Sequence, residues 1–164
     1  MSLSRALACA LMTIVLGACG FQLRGDPEVG IHKLYTSADR PSAVHSDLRR
    51  TLATGPTRLV ATPAEAEAHL KFLNEAREKT VFTITGTGRV FEFQLRLVVR
   101  YELLKPGREE PVIPPTEIET RRLISYSETA PTAKEAEEQL LFKDMQLDLA
   151  RQILRHVAAV KREL

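Results

Sequence analysis

The sequence predicts an α+β domain in which two helices pack on one face of a four-stranded mixed, mostly antiparallel sheet. Two observations indicate this fold. Residues 89–103 alternate between apolar and polar side chains, which is typical of a strand with one buried face. The last part of the chain, up to about residue 160, has apolar side chains at helical spacing. A chain of 164 residues is long enough for one ordinary domain.

Residues 1–18 are predicted to be a lipoprotein signal peptide. Arg5 is their only charged residue, and the apolar run that follows it is too short to span a bilayer permanently. The run ends in Leu-Gly-Ala-Cys at residues 16–19, which resembles the bacterial lipobox, where signal peptidase cuts before a lipid-carrying cysteine. Cys19 is therefore the predicted lipid attachment residue. The alternative is a plain secretory signal that happens to precede a cysteine.

The lipobox also sets the predicted boundaries of the mature chain. Residues 19–30 contain glycine and proline and are expected to form a lipidated N-terminal tether, and residues 31–164 are expected to form a single α+β domain. Cys9 leaves with the signal peptide, so the mature protein has neither a free thiol nor a disulfide. Gly20 stands where an aspartate commonly marks inner-membrane retention of lipoproteins. We therefore expect lipid anchoring on the periplasmic side of the outer membrane.

The first part of the domain is predicted to contain a strand, a helix and a short turn. Residues 31–36 alternate imperfectly and predict the first strand. Pro41 suits the first position of a helix, which continues to about Ala53 with apolar residues at a spacing of four. Residues 62–65 have the pattern of a capping box and predict a short helical turn.

A long hairpin is predicted next. Its first strand begins near His69, and we interpret the polar run 74–79 as strand with a bulge, although it could pass for helix. Residues 85–88, Thr-Gly-Thr-Gly, predict the turn. The following strand has one mostly polar face and one mostly apolar face, which consists of Arg89, Phe91, Phe93, Leu95, Leu97, Val99, Tyr101 and Leu103.

A fourth strand and a long helix complete the predicted fold. Prolines in the segment 111–115 are expected to keep it irregular, so the strand is predicted over residues 117–127. Thr132 and Glu135 form a second capping-box pattern, which predicts a helix that ends near Val160. The apolar arc of this helix exceeds about 180°. Contact with both the sheet and the first helix explains that width, and docking of part of the arc on another protein is the alternative.

The sequence contains no pattern that predicts catalysis, a metal site or a cofactor. The four histidines are scattered without metal-ligand spacing, and no glycine-rich loop joins a strand to a helix. A periplasmic hydrolase is not expected, because no nucleophile and base are placed together. The formal net charge of +2 does not mark a nucleic-acid-binding protein.

Positive charge is concentrated in the hairpin. Residues 71–108 carry eight basic and four acidic side chains, a local net charge of +4. An ordinary solvated sheet face would explain this excess, and a surface for an anion at a membrane is the functional alternative. The predicted topology places Arg89 and Lys134 on one rim, where Lys134 opposes the dipole of its helix. Such violations tend to mark functional sites, so these two residues are the leading phosphate-binding candidates and Arg96 and Arg100 are weaker ones.

Several segments of the chain resemble the LptE family of lipopolysaccharide-assembly lipoproteins. Residues 19–25, Cys-Gly-Phe-Gln-Leu-Arg-Gly, are similar to the first mature residues of that family. Residues 92–95 resemble its central strand, and residues 138–139, 143–145 and 149–154 resemble its last helix. The likeness covers nearly the whole mature chain in the same element order, and it is weakest in the second strand and the proline-rich loop.

The resemblance implies a non-enzymatic role in lipopolysaccharide export. Members of the family plug a large outer-membrane β-barrel, LptD, help it to assemble, and bind lipopolysaccharide on its way to the outer leaflet. The implied partners are an LptD-like barrel, lipopolysaccharide, and the membrane through the N-terminal lipid, with no nucleic acid. Arg89, Lys134, Arg96 and Arg100 are then the candidate lipopolysaccharide-binding residues. The alternative function is a generic outer-membrane adaptor, such as a pilotin or a barrel-assembly accessory, without affinity for lipopolysaccharide.

Overall fold

A mixed five-stranded sheet organises the structure, a computed structural model that describes residues 30–127 and 129–160. The predicted signal peptide and, apart from Gly30, the predicted tether lie outside these residues. The elements in chain order are β1 (Lys33–Ala38), α1 (Ala43–Ala53), β2 (Arg58–Leu59), a 3₁₀ turn (Pro63–Glu65), β3 (Ala68–Ile84), β4 (Val90–Leu104), β5 (Ile113–Ser125) and α2 (Pro131–Ala159). The predicted α+β class is confirmed.

The sheet has the strand order β2-β1-β3-β4-β5. β1 lies parallel to both β2 and β3, whereas the longer ladders β3–β4 and β4–β5 are antiparallel. The predicted count of four strands was wrong, because β2 is a fifth strand that the sequence pattern does not indicate. This strand pairs Arg58 and Leu59 with Lys33 and Leu34, and two residues are too few to show alternation.

The hydrophobic core lies between the sheet and the two helices. The predicted apolar face of β4 is buried from Leu95 to Leu103, and the helix stripe that contains Met145 and Leu149 is buried as well. α1 and α2 also pack against each other. The wide apolar arc of α2 therefore has the explanation that the sequence favoured, because the helix contacts both the sheet and α1.

A bulge in β3 changes which side chains face the helices. The register with β4 shifts between Phe72, which pairs with Tyr101, and Asn74, which pairs with Arg100. Before the bulge, apolar residues such as Phe72 face the core. After it, Glu75 and Arg77 lie on that side, where Glu75 accepts hydrogen bonds from the start of α1. The predicted strand with a bulge is confirmed, and Glu75, Arg77 and Lys79 of its polar run face the helices, whereas Glu78 lies on the opposite face.

Both helices begin at positions that differ from the prediction. α1 begins after Pro41, because Ser42 is the N-cap and its Oγ accepts a 3.0 Å hydrogen bond from a backbone N–H of the first turn. α2 begins at Pro131, and no side chain caps it. The predicted capping box of Thr132 and Glu135 was therefore wrong, because Thr132 already lies within the first turn. Proline has no backbone N–H, so a proline at the first helical position needs no hydrogen-bond acceptor there.

Strand β5 begins earlier than the prolines led us to expect. It starts at Ile113 and runs through Pro114 and Pro115, and it ends at Ser125 rather than at residue 127. Among the described strands β5 pairs only with β4, so it is an edge strand. Prolines are tolerated at sheet edges because they remove no hydrogen bond between central strands. The β4–β5 ladder is also irregular beside the two prolines, between Tyr101 and Leu103.

Candidate functional site

The β3–β4 turn, the end of β5 and the start of α2 lie at one end of the sheet, which we refer to as the turn end. Gly88 closes the turn with a φ of 81°, a conformation that favours glycine. The N–H of Tyr126, just after β5, donates a 2.8 Å hydrogen bond to the carbonyl of Phe91 on β4. Lys134 of α2 donates a 2.8 Å hydrogen bond to Ser125 Oγ. These contacts bring the three elements together.

Arg89 and Lys134 both lie at the turn end, where the sequence placed them. Arg89 directly follows the turn, and its backbone N–H donates a 3.1 Å hydrogen bond to Thr85 Oγ1. The Arg89 side chain is exposed. The ammonium of Lys134 is held on two sides, by Ser125 and by a 2.8 Å ion pair with Glu137. This end of the sheet thus offers two cationic side chains.

Arg96 and Arg100 project from the open face of the sheet, away from the helices. Arg96 donates a 2.9 Å hydrogen bond to Glu78 on β3 and a second hydrogen bond to Glu119 on β5. The hydrogen bonds that Arg96 donates to Glu78 and Glu119 raise the pKa of Arg96, and the hydrogen bond from Arg96 lowers the pKa of Glu119. Arg100 is exposed and forms no ion pair with any residue of the described ranges. It lies about 36 Å along the strand from Arg89.

The structure therefore changes the interpretation of the basic hairpin. The local net charge of +4 was counted over residues 71–108, which end before β5. β5 contributes Glu117 and Glu119 beside Arg96, and Arg121 pairs with Glu119. The open face is a ladder of alternating charges across three strands. Arg96 is neutralised there by carboxylates of both neighbouring strands.

The turn end also exposes large apolar side chains. Phe82 is 54% exposed and Ile84 is 60% exposed, although both residues belong to strand β3. Phe91 was expected on the buried face, but it is 52% exposed because the hairpin extends past α2, whose first turn lies beside Ser125. The exposed large apolar side chains at this end are Val81, Phe82, Ile84, Phe91 and Tyr126, together with Leu123, which pairs with Gln94 on the open face. Clustered exposed apolar side chains mark sites of contact with a partner or a ligand.

A small pocket of about 200 Å³ lies between the sheet and the start of α2. The ring of Tyr126 packs edge-on against Phe93, with 5.7 Å between the ring centroids. The ammonium of Lys79 lies 4.6 Å from the centroid of Phe93 and pairs with Glu138. The lining residues are Lys79, Phe93, Ile124, Ser125, Tyr126, Pro131, Lys134, Glu135 and Glu138. Lys79 belongs to the basic run 71–108 of the sequence, but no pattern in the sequence predicts its place in this pocket.

Cations beside apolar surface suit an amphipathic anion. The guanidinium group offers paired donors to a phosphate, and an ammonium acts as a point charge.

No group of three or more metal-ligating side chains occurs within residues 30–127 and 129–160. None of the helices in that part of the chain is long and apolar enough to cross a membrane.

Comparison with known proteins places these features in a family. The LptE family model, described as lipopolysaccharide-assembly, matches residues 31–157. A protein of Pectobacterium atrosepticum named LPS-assembly lipoprotein LptE is 23% identical over 158 residues, which cover 94% of this chain and 84% of that protein. A Yersinia enterocolitica protein of the same name is 27% identical over 94% of this chain and 75% of its own length.

Two solved structures share both the fold and part of the sequence. The solution structure of an uncharacterized lipoprotein B from Nitrosomonas europaea has a TM-score of 0.72 and 33% identity, and covers 85% of this chain and 91% of that one. The crystal structure of rare lipoprotein B from Shewanella oneidensis has a TM-score of 0.71 and 25% identity, and covers 80% and 98%. Since the family model spans nearly all of the described residues, this chain belongs to the LptE family of lipopolysaccharide-assembly proteins.

Proposed function

We propose that this protein is an outer-membrane lipoprotein of the lipopolysaccharide transport complex. In this role it plugs an LptD-like β-barrel, helps that barrel to assemble, and binds lipopolysaccharide for delivery to the outer leaflet. Family membership and the names of its relatives support the assembly role. The observation that carries the lipid-binding part is the turn end, where Arg89 and Lys134 lie among exposed apolar side chains.

The chemistry of lipopolysaccharide matches that combination. Its lipid A portion carries phosphates beside acyl chains, so a receptor needs fixed cations next to apolar surface. We assign the phosphate contacts to Arg89 and Lys134 and the acyl contacts to apolar residues such as Phe82 and Phe91. Arg96 and Arg100 stay weaker candidates. Arg96 would have to leave two carboxylates, and Arg100 lies far from the turn end.

The barrel contact involves other surfaces of the domain. We propose that the charged open face of the sheet and the exposed side of α2, where Leu140 is 67% exposed, lie against the barrel wall. A polar rim around a smaller apolar centre is usual for protein–protein interfaces. The generic adaptor remains the alternative, since it needs the anchor and a binding face but not the cationic turn end.

Co-purification distinguishes these two functions. The full-length lipoprotein, captured from detergent-solubilised outer membranes, is expected to bring down one large β-barrel together with lipopolysaccharide. Depleting the lipoprotein should in addition lower the amount of correctly oxidised, heat-modifiable barrel. A matched capture with an unrelated outer-membrane lipoprotein serves as the control. Partners without lipopolysaccharide, or normal barrel levels after depletion, would favour the adaptor.

The lipid anchor gives a separate prediction. Cys19→Ser should leave the precursor uncleaved by the lipoprotein signal peptidase and unlabelled by radioactive palmitate, because the acylated thiol is gone. Cys9→Ser is the matched control, since Cys9 is predicted to leave with the signal peptide, and it should be processed and labelled normally. Palmitate label retained after Cys19→Ser would show that the lipid is attached elsewhere.

A further inference from the structure

The pocket at the turn end contains two lysines that are each paired with a carboxylate of α2. Lys134 pairs with Glu137 at 2.8 Å, and Lys79 pairs with Glu138 at 2.5 Å. The Lys134 side chain is only 25% exposed and that of Lys79 is 41% exposed. Both lysines therefore lie at the wall of the pocket with a carboxylate beside each ammonium group.

The charges around the pocket do not favour an anion as they stand. Glu135 and Glu138 line the pocket with the two lysines, and Glu137 lies within reach of Lys134. Three carboxylates thus surround two ammonium groups. Each ammonium group keeps at least one N–H donor beyond these contacts, but a phosphate that approaches it meets the negative charge of the paired carboxylate. Binding at this place therefore includes the cost of moving that carboxylate away.

The apolar side of the same pocket continues toward the exposed cluster. Phe93 and Tyr126 form one wall, and Lys79 lies over the ring of Phe93. Phe91 lies two residues before Phe93 on β4, and its backbone is hydrogen-bonded to Tyr126. A phosphate at the lysines would therefore leave attached acyl chains beside apolar surface. An ion pair elsewhere on the surface would lack this adjoining apolar wall.

We propose that this pocket is the phosphate subsite of the lipopolysaccharide site and that Lys79 is its second cation, beside Lys134. Glu137 and Glu138 are the carboxylates that a lipid phosphate displaces. This inference rests on the proposed function. It adds Lys79 to the binding residues and identifies two carboxylates that lower the affinity for lipopolysaccharide. The competition lowers the affinity for a ligand that a transport protein must release as well as bind. Lys79 reaches the pocket because the bulge turns this part of β3 toward the helices.

Removal of the carboxylates tests the proposal, because it should strengthen binding. Binding of purified lipopolysaccharide is measured on the full-length lipoprotein in detergent. Glu137→Gln and Glu138→Gln are each expected to bind about two- to fivefold tighter, the factor by which exposed ion pairs usually change an equilibrium. Asp144→Asn is the matched control. It removes the same charge from an exposed position of the same helix, but Asp144 does not line the pocket, so its effect should stay below about twofold.

The second part of the test removes Lys79 from the protein and, in a separate measurement, the phosphates from the lipopolysaccharide. Lys79→Gln should weaken binding of lipopolysaccharide about two- to fivefold and leave binding of its dephosphorylated form unchanged. Inorganic phosphate alone should compete only weakly, because it lacks the acyl chains. Competition as effective as that of intact lipopolysaccharide would overturn the assignment to a lipid phosphate. The thermal melting temperature of each variant is measured as well, to show whether the variant is folded.

The outcomes separate this inference from the proposed function. If Arg89→Glu with Lys134→Glu weakens binding but the Glu137 and Glu138 variants behave like the Asp144 control, the displacement proposal is overturned and the site stands. If Lys79→Gln binds normally, Lys79 is not a binding residue. If the Arg89 and Lys134 double variant also binds normally, lipopolysaccharide does not bind at the turn end.

Discussion

Replacing Arg89 and Lys134 together by glutamate is expected to weaken lipopolysaccharide binding by at least about tenfold, or ~1.4 kcal/mol. The double change replaces two attractive charges with two repulsive ones beside the exposed apolar cluster. A well-formed charge-assisted hydrogen bond contributes about 1.5–3 kcal/mol, and a wet rim reduces that value. Binding of the full-length lipoprotein to purified lipopolysaccharide measures the effect.

The fold should tolerate this double change. An acidic residue in the first turn of α2 interacts favourably with the helix dipole. That gain offsets part of the loss of the Lys134 contacts with Ser125 and Glu137 and part of the new repulsion from Glu137 and Glu138. Lys143→Glu with Arg155→Glu is the matched control, because it reverses two exposed charges on the same helix away from the turn end. Its binding should change by less than about twofold. A double variant at Arg89 and Lys134 that melts and binds as the original protein does would place the site elsewhere.

Glu75→Ala is expected to reduce the free energy of unfolding by about 2–4 kcal/mol, the largest stability effect that we predict for a charged residue. The Glu75 side chain is only 6% exposed. Its carboxylate accepts a 2.7 Å hydrogen bond from Ser42 Oγ and a 3.0 Å hydrogen bond from the Val44 backbone N–H. Removal leaves the donors at the start of α1 without this acceptor. Chemical denaturation measures the loss.

Two further variants separate burial from charge. Glu78→Ala removes a carboxylate three residues along the same strand, where the side chain is 46% exposed on the open face, and should cost no more than about 1 kcal/mol. Glu75→Gln keeps one acceptor oxygen and should give an intermediate loss. Equal losses for Glu75→Ala and Glu78→Ala would contradict the orientation that the bulge gives to β3.

The sequence by itself determined the elements that have a long, regular pattern. The alternation over residues 89–103 predicts β4 and its buried face, because the side-chain period of a strand is two. The helical spacing near the C-terminus predicts α2, and the width of its apolar arc predicts contact with α1. The glycine-containing turn predicts the hairpin, and hence that Arg89 and Lys134 lie at one end of the sheet. Each of these predictions depends on residues that are close in the chain.

The tertiary structure decided the features that depend on distant residues. Arg96 looks like a free cation within its own strand, but its partner Glu119 lies 23 residues away on β5. The two prolines of β5 fit a strand only because that strand is at the edge of the sheet. Lys79 reaches the pocket only because the ladder with β4 shifts by one residue at Phe72, and a shift of one residue moves side chains to the other face. Strand neighbours and register are set by pairing between separate segments, so no local pattern specifies them.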